Sequence, residues 1–257
     1  MMLGIIQGLT EFLPVSSSAH LVLFPDYFGW PDPGLAFDVA LHLGTLIAVL
    51  AYFRTELMPL ARSLFLIKDE RLAQERALTY KLLLATIPGA IVGLLLERRV
   101  ESTFRSAQLI AYALIGMGAL LALADWWGKG TRDIHAITLG NAFLIGVAQS
   151  FALIPGVSRS GVTITLALAL GLERTAAARF SFLMSIPIIA GAGILKAKAI
   201  WFTPDKAILG VGFGASAIAG FLAIWVLMRY VERHRYTPFV LYRWALGAFV
   251  LCHLAKF

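Results

Sequence analysis

The stretch that decides the fold is LGIIQGLTEFLPVSSSAHLVLF at residues 3–24, an apolar run broken at its centre by Pro14 and three consecutive serines. A second apolar run, LGNAFLIGVAQSFALIPGVSRSGVTITLALAL at residues 139–170, is broken by Pro155 and by the Ser-Arg-Ser run at 158–160. Irregular backbone is tolerated at membrane depth only where it is buried in protein or lines a wet cavity. Each run is therefore predicted to form a re-entrant helical hairpin rather than a simple transmembrane span.

The two broken runs also resemble each other. Adding 142 to the numbers of five residues in the first run gives the same residue types in the second. The pairs are Gly4 and Gly146, Gln7 and Gln149, Val15 and Val157, Ser16 and Ser158, and Ser18 and Ser160. Each run is followed by three further apolar segments, so the second half must enter the membrane from the opposite side. We predict an inverted-topology repeat with halves at 1–127 and 134–257 and a short cytoplasmic linker at 128–133.

Six other apolar segments are predicted to cross the membrane, which makes the chain one all-α polytopic membrane domain. They are Phe37–Phe53, Leu82–Leu96, Ala107–Trp127, Ala176–Leu195, Ala207–Met228 and Phe239–Leu254. Several approach the roughly 20 residues that a helix needs to cross the hydrocarbon core. The composition agrees, because only 14% of the 257 residues are charged, whereas soluble domains carry about 25%.

The net charge of +7 is explained by membrane orientation rather than by nucleic acid, since no nucleic-acid-binding motif is present. Fourteen Lys and Arg residues lie in the connections after the first, third and fifth spans, with Arg243 counted among them, against six on the other side. Cytoplasmic loops carry such an excess. The first hairpin is therefore predicted to open to the outer face. The single cysteine, Cys252, excludes an intrachain disulfide or a cysteine metal site.

Four ionisable residues lie within the apolar stretches, where charge is costly and marks function by default. They are Glu11, His20, His42 and Arg159. Gln7 and Glu11 lie one turn apart on one helical stripe. Their amide and carboxylate oxygens suit Mg²⁺ or Ca²⁺. The alternative for this pair is a polar seam between packed helices.

Hydroxyl groups lie beside an imidazole in the first run and beside an arginine in the second. Ser16, Ser17 and Ser18 precede His20, a combination that suits a nucleophile and a general base or acid. Serines after a proline also cap helices, and a helix N-terminus binds anions, so both interpretations of the serines stay open.

The second run offers the more specific element. Arg159 lies between Ser158 and Ser160, and its planar guanidinium suits phosphate oxygens. Gly156 and Gly161 would let the backbone approach a ligand closely. The alternative is that Arg159 is a structural ion-pair partner of Glu11. A carboxylate, an arginine, hydroxyls and helix N-termini together predict a site for a phosphorylated ligand, and its depth in the bilayer predicts that the rest of that ligand is lipid.

Two sequence elements carry a family resemblance. The run from Gln7 to His20, QGLTEFLPVSSSAH, resembles the first signature of the undecaprenyl-diphosphate phosphatases, the bacitracin-resistance family, and Pro155–Gly161 resembles the second. The resemblance extends over nearly the whole chain. It implies hydrolysis of undecaprenyl diphosphate to the monophosphate and inorganic phosphate in the bacterial inner membrane. This reaction recycles the lipid carrier for peptidoglycan and other envelope polymers and lowers sensitivity to bacitracin.

The resemblance also implies roles for individual residues. Glu11, with Gln7, would hold a divalent cation, and Arg159 would bind the diphosphate and stabilise charge on the transferred phosphoryl group. Ser17 would be the nucleophile, or would position water, with His20 as base and then acid. The cradle would be completed by Ser16, Ser18, Ser158, Ser160, Gly156 and Gly161. Asp38, His42 and Gln149 would position the residues that contact the ligand, although Asp38 and His42 also fit a helix-packing pair. Gln7, Ser18 and Ala19 stand where the family often has Glu, Thr and Gly.

Three other functions compete with this prediction. A lipid-phosphate transporter or flippase uses the same kind of inverted repeat with broken helices, and translocation in sealed vesicles would identify it. A type-2 phosphatidic acid phosphatase requires a Pro-Ser-Gly-His element, which this sequence lacks. A purely structural subunit leaves Glu11 and Arg159 unexplained. The sequence is compatible with a monomer or a homo-oligomer.

Overall fold

The computed structural model describes residues 1–31, 34–103, 106–128, 130–203 and 205–255, with the backbone alone over 97–103. Over these residues the chain is helical, with two single 3₁₀ turns and no strand. The helices are α1 Met2–Phe12, α2 Ser17–Phe28, α3 Leu35–Tyr52, α4 Arg54–Phe65, α5 Ala73–Thr103, α6 Ala107–Trp127, α7 Leu139–Ser150, α8 Arg159–Ala169, α9 Arg174–Leu195, α10 Ala197–Phe202, α11 Lys206–Val231 and α12 Thr237–Leu254.

Six of these helices are long and apolar enough to cross a membrane, as predicted. The spans are Leu35–Tyr52, Glu70–Leu96, Ala107–Trp127, Arg174–Leu195, Lys206–Val231 and Thr237–Leu254. The second span begins well before the predicted start at Leu82, because a 3₁₀ turn at Glu70–Leu72 and the more polar first residues of α5 precede the apolar segment. The linker predicted at 128–133 contains Lys129, which lies outside the described residues, and α7 begins only at Leu139.

Each broken run forms two short helices joined by an irregular turn. The first consists of α1 and α2, which are separated by residues 13–16, and the second consists of α7 and α8, which are separated by residues 151–158. Proline cannot donate a main-chain hydrogen bond and clashes with the preceding turn of a helix. Pro14 therefore explains why α1 stops at Phe12, and Pro155 explains why the 3₁₀ turn Phe151–Leu153 after α7 does not continue. The two turns place four helix ends near the centre of the molecule.

Glycines allow the short helices to pack closely on two long ones. A Cβ at Gly4 would lie 2.5 Å from the Gly212 carbonyl oxygen of α11, and a Cβ at Gly8 would lie 2.6 Å from the Ser216 carbonyl oxygen. A Cβ at Gly146 of α7 would overlap the Ala85 carbonyl of α5. The packed backbones hold α1 and α7 in fixed positions, and with them the two turns.

The prediction that Arg243 lies in a cytoplasmic connection is wrong. Arg243 lies within α12, and its side chain is fully buried. The apolar segment was predicted to begin at Phe239, and the arginine was counted with the preceding loop. Without Arg243, the connections predicted to be cytoplasmic still contain more Lys and Arg residues than those on the other side. Lys129 and Arg105 lie outside the described residues, as do the side chains of Arg98 and Arg99.

Candidate active site

Both turns end in a serine with the same unusual backbone. Ser16 and Ser158 have φ values of 75° and 73°, a left-handed conformation that is uncommon for a residue with a side chain. Each serine is the N-cap of the following helix: Ser16 Oγ accepts from the Ala19 N–H at 3.4 Å, and Ser158 Oγ accepts from the Gly161 N–H at 3.0 Å. Strained backbone of this kind clusters at functional sites, and here it starts two helices from the same region.

Hydrogen bonds join the two turns directly. The Gly156 N–H donates to Ser16 Oγ at 3.1 Å, and the Ser160 hydroxyl lies within 3.2 Å of the Glu11 carbonyl oxygen and 3.1 Å of the Leu13 carbonyl oxygen. Within each turn, the serine hydroxyls two residues apart are also in contact, at 3.2 Å for Ser16 and Ser18. These serines therefore serve mainly to build and connect the turns.

Glu11 is the centre of the polar cluster. Its Oε1 accepts a hydrogen bond from Arg159 Nη2 at 3.1 Å, and its Oε2 accepts from Ser17 Oγ at 2.6 Å and from Gln7 Nε2 at 3.0 Å. The carboxylate is almost fully buried. A charge buried this deeply requires ion pairing and hydrogen bonds, and the cluster supplies both. The structure thus brings together four predicted site residues from both broken runs.

Arg159 is fixed from two sides. Its second terminal nitrogen donates to the Ser181 carbonyl oxygen of α9 at 3.0 Å, and the Ser181 hydroxyl lies 2.7 Å from Thr163 Oγ1. Guanidinium has five N–H donors, so donors remain for a ligand in addition to the bonds to Glu11 and Ser181. Ser181 was not predicted, because a single serine within an apolar span gives no sequence signal.

The two predicted histidines lie in different surroundings. His42 Nδ1 lies 2.7 Å from the Asp38 carbonyl oxygen, and its Nε2 lies 3.8 Å from Glu11 Oε2. A carbonyl only accepts, so Nδ1 carries a proton and Nε2 of the neutral ring is unprotonated. His42 therefore lies beside the Glu11 carboxylate and forms an ion pair with it when the ring is protonated.

His20 is buried beside that cluster rather than within it. Its Nδ1 lies 2.7 Å from the Ser16 carbonyl oxygen, and its Nε2 lies 2.6 Å from the Tyr242 hydroxyl of α12. The described hydrogen bonds do not join His20 to Ser17, which bonds to Glu11 instead. The role of His20 as the base stays a prediction, and its contacts tie the first turn to α12.

Gln149 does not join the polar cluster. It is buried in α7, where a Cβ on Gly89 would lie 2.6 Å from its Nε2. Neither its amide nitrogen nor its amide oxygen has a hydrogen-bond partner among the described residues. Its sequence match to Gln7 therefore does not extend to the same contacts.

A cavity of about 310 Å³ opens beside the cluster. Its lining residues are Glu11, Ser17, Ser18, Leu35, Asp38, Val39, His42, Ala152, Ser158, Arg159, Ile188, Ile189, Ala192, Gly193 and Lys196. Glu11, Ser17, His42 and Arg159 give the lining its polar cluster, and the residues that α9 contributes are all apolar. This arrangement suits a ligand with an anionic head and a hydrocarbon tail.

The cluster fits a divalent cation only with help from a ligand. Among the described residues, no group of three or more His, Cys, Asp and Glu side chains could hold a metal ion. Glu11 is a single carboxylate, and Gln7 Oε1 is a buried oxygen without a hydrogen-bond partner. Mg²⁺ is commonly bound by one or two carboxylates together with substrate phosphates, so Glu11 and Gln7 fit a cation that a diphosphate would also bind.

Comparisons with known proteins point in one direction. The family model described as "Bacitracin resistance protein BacA" matches residues 1–249. An undecaprenyl-diphosphatase from Moorella thermoacetica is 48% identical over 249 residues, which cover 97% of this chain and 94% of the relative. An undecaprenyl-diphosphatase from Desulforudis audaxviator is 50% identical over 253 residues, with the same coverage of 97% and 94%.

Proposed function

This chain belongs to the bacitracin resistance protein BacA family, and we propose that the buried cluster around Glu11 is the site at which it acts. Its activity is the hydrolysis of undecaprenyl diphosphate to undecaprenyl phosphate and inorganic phosphate. The reaction recycles the lipid carrier for cell-wall synthesis and confers bacitracin resistance. The six apolar helices and the family make the chain a multi-pass protein of the bacterial inner membrane.

The observation that carries the site assignment is the shared bonding of Glu11 to Ser17 and Arg159. One broken run supplies a carboxylate and a hydroxyl, the other supplies a guanidinium, and all three line one cavity. Phosphoryl transfer needs chiefly positioning and neutralisation of charge on the phosphoryl oxygens. The free donors of Arg159 would bind the diphosphate oxygens, and the apolar walls would hold the first isoprene units.

In the proposed reaction, Ser17 Oγ attacks the terminal phosphorus and its proton passes to Glu11 Oε2. The bond between that phosphorus and the bridging oxygen breaks, and undecaprenyl phosphate leaves. Water then hydrolyses the phosphoserine and releases inorganic phosphate. Glu11 is the proton acceptor in this scheme because Ser17 bonds to it at 2.6 Å. Rapid quenching of the reaction followed by mass spectrometry tests the scheme: a phosphate on Ser17 supports it, and none at any reaction time indicates direct attack by water.

A divalent cation, Mg²⁺ or Ca²⁺, would be held by Glu11 and Gln7 and would neutralise charge on the diphosphate. The support is the buried Gln7 Oε1, which has no hydrogen-bond partner among the described residues and lies beside the Glu11 carboxylate. A hard oxygen in such a place favours a hard cation.

We also infer the inverted repeat and the orientation. The helix α1 packs on α2 and α11, and its counterpart α7 packs on α8 and α5. In each half the first short helix thus packs on the second span of the other half, as a two-fold repeat would produce. The cavity lies toward the start of α3 at Leu35 and the end of α9 at Lys196. This side is opposite the more basic connections, so the site would open to the outer face.

The test is phosphate release from undecaprenyl diphosphate in detergent, with EDTA or with added Mg²⁺ or Ca²⁺. Wild type is expected to release phosphate only with a cation, and Glu11→Gln to lose at least about a hundredfold in kcat. Glu56→Gln is the matched control, because Glu56 forms a partly exposed ion pair with Arg179 away from the cavity. Equal activity of wild type and Glu11→Gln would contradict the site assignment.

A further inference from the structure

Arg243 of α12 is a fully buried arginine that the proposed reaction does not use. All of its described hydrogen bonds go to main-chain carbonyl oxygens, and none goes to a carboxylate. The acceptors are Pro14 at 3.0 Å, Gly156 at 2.7 Å, Val157 at 3.2 Å, Leu114 at 3.1 Å and Ala113 at 3.3 Å. One guanidinium therefore bonds to both irregular turns and to α6.

The two turns need such a donor. The carbonyl groups of Pro14 and Gly156 lie where the helices are broken, and none of the described turn bonds supplies either of them with a main-chain N–H. A carbonyl left without a donor at membrane depth is costly. Arginine suits the position because its planar fork offers five donors in a fixed geometry.

The geometry connects Arg243 to the reacting groups through the backbone. Ser17 follows Pro14 by three residues, and Arg159 follows Gly156 by three residues. The guanidinium fixes the two carbonyls relative to each other, with Nη1 on Pro14 and Nη2 on Gly156. The Arg243 guanidinium therefore sets the distance between the two turns, and with it the separation of Ser17 from Arg159.

We propose that Arg243 is a positioning residue that holds the two turns at the spacing that phosphoryl transfer requires. The inference rests on the proposed function of the Glu11 cluster and extends it to a residue outside the cavity, since Arg243 is not among the lining residues. Arg243 acts on the transition state through Ser17 and Arg159, so its loss should lower kcat more than it raises KM. A misplacement of about 1 Å at a reacting group can cost on the order of a hundredfold in rate.

The test compares Arg243→Lys, Arg243→Met and Trp244→Phe in the full-length protein in detergent. Trp244 is the matched control, because its Nε1 donates to the Ile115 carbonyl oxygen of α6 without reaching either turn. For Arg243→Met we expect a fall of about a hundredfold in kcat, with KM within about threefold of wild type. Arg243→Lys keeps the charge but loses the fork, so it should recover part of the activity. Hydrogen exchange of residues 13–20 and 154–161 should rise in both Arg243 variants and stay unchanged in Trp244→Phe.

Two outcomes would overturn the proposal while leaving the proposed function intact. One is a folded Arg243→Met protein with kcat within about twofold of wild type. The other is loss of folded protein in both Arg243 variants while Trp244→Phe folds, which would show that the bonds hold the whole fold rather than the site. Wild type without phosphate release would instead contradict the proposed function itself.

Discussion

The two broken runs share a scaffold and differ in chemistry. Ser16 and Ser158 have the same left-handed backbone, cap the following helix in the same way and contact a serine two residues later. At the same offset of 142, however, Glu11 corresponds to Leu153, Ser17 to Arg159 and His20 to Val162. The repeated residues form the turns, and the unlike residues form one site between them. The two runs therefore form a single asymmetric centre rather than two equal ones.

The largest effect should come from the arginine that only the second run contains. Arg159→Ala removes the ion-pair partner of Glu11 and the donors for the diphosphate. We expect kcat to fall by about a hundredfold to a thousandfold, as when one transition-state donor is removed. Phosphate release measures this loss, with Arg179→Ala as the control because Arg179 pairs with Glu56 outside the cavity. An equal loss in the two variants would indicate a general effect of removing charge from this region of the protein.

The matched glutamines should respond differently. Gln7 donates to Glu11, so Gln7→Leu removes a contact of the Glu11 carboxylate and should lower kcat by about tenfold. Gln149 is buried and has no hydrogen-bond partner in the described part of the chain, so Gln149→Leu should leave kcat unchanged and leave stability unchanged or raised by about 1 kcal/mol. Kinetics and thermal unfolding in detergent test both. Comparable loss of activity in the two variants would mean that the two glutamines have equivalent roles, and would contradict the difference inferred from their contacts.

The matched glycines should respond alike, since they belong to the shared scaffold. A Cβ at Gly4 or at Gly146 would meet the carbonyl of a long helix. Gly4→Ala and Gly146→Ala should each lower stability by about 1–3 kcal/mol, the usual cost of overpacking. Gly191→Ala is the control, because nothing lies within 4 Å of a Cβ at that position of α9. Thermal unfolding of the three variants measures these changes in stability. A loss of stability in only one of Gly4→Ala and Gly146→Ala would argue against equivalent packing of α1 and α7.

The sequence predicted the spans and the main site residues for physical reasons. Long apolar segments have few alternatives to crossing a membrane, and Glu11 and Arg159 stood out because charge within such segments is rare. Contacts between distant residues could not be predicted in the same way. Arg243 was assigned to a loop because only the fold shows that main-chain carbonyls from three segments surround it. Gln149 matched Gln7 in sequence, but it has no carboxylate four residues later.

The central claim is that the two broken runs form one catalytic unit through Glu11 and Arg159. The most direct test is a double-mutant cycle of kcat for phosphate release with Glu11→Gln, Arg159→Ala and the variant that combines them. If the two residues act as a unit, the combined variant will be about as slow as the slower single variant, because residues that work together are strongly non-additive. Losses that multiply would show that Glu11 and Arg159 act independently, and would contradict a single site shared by the two runs.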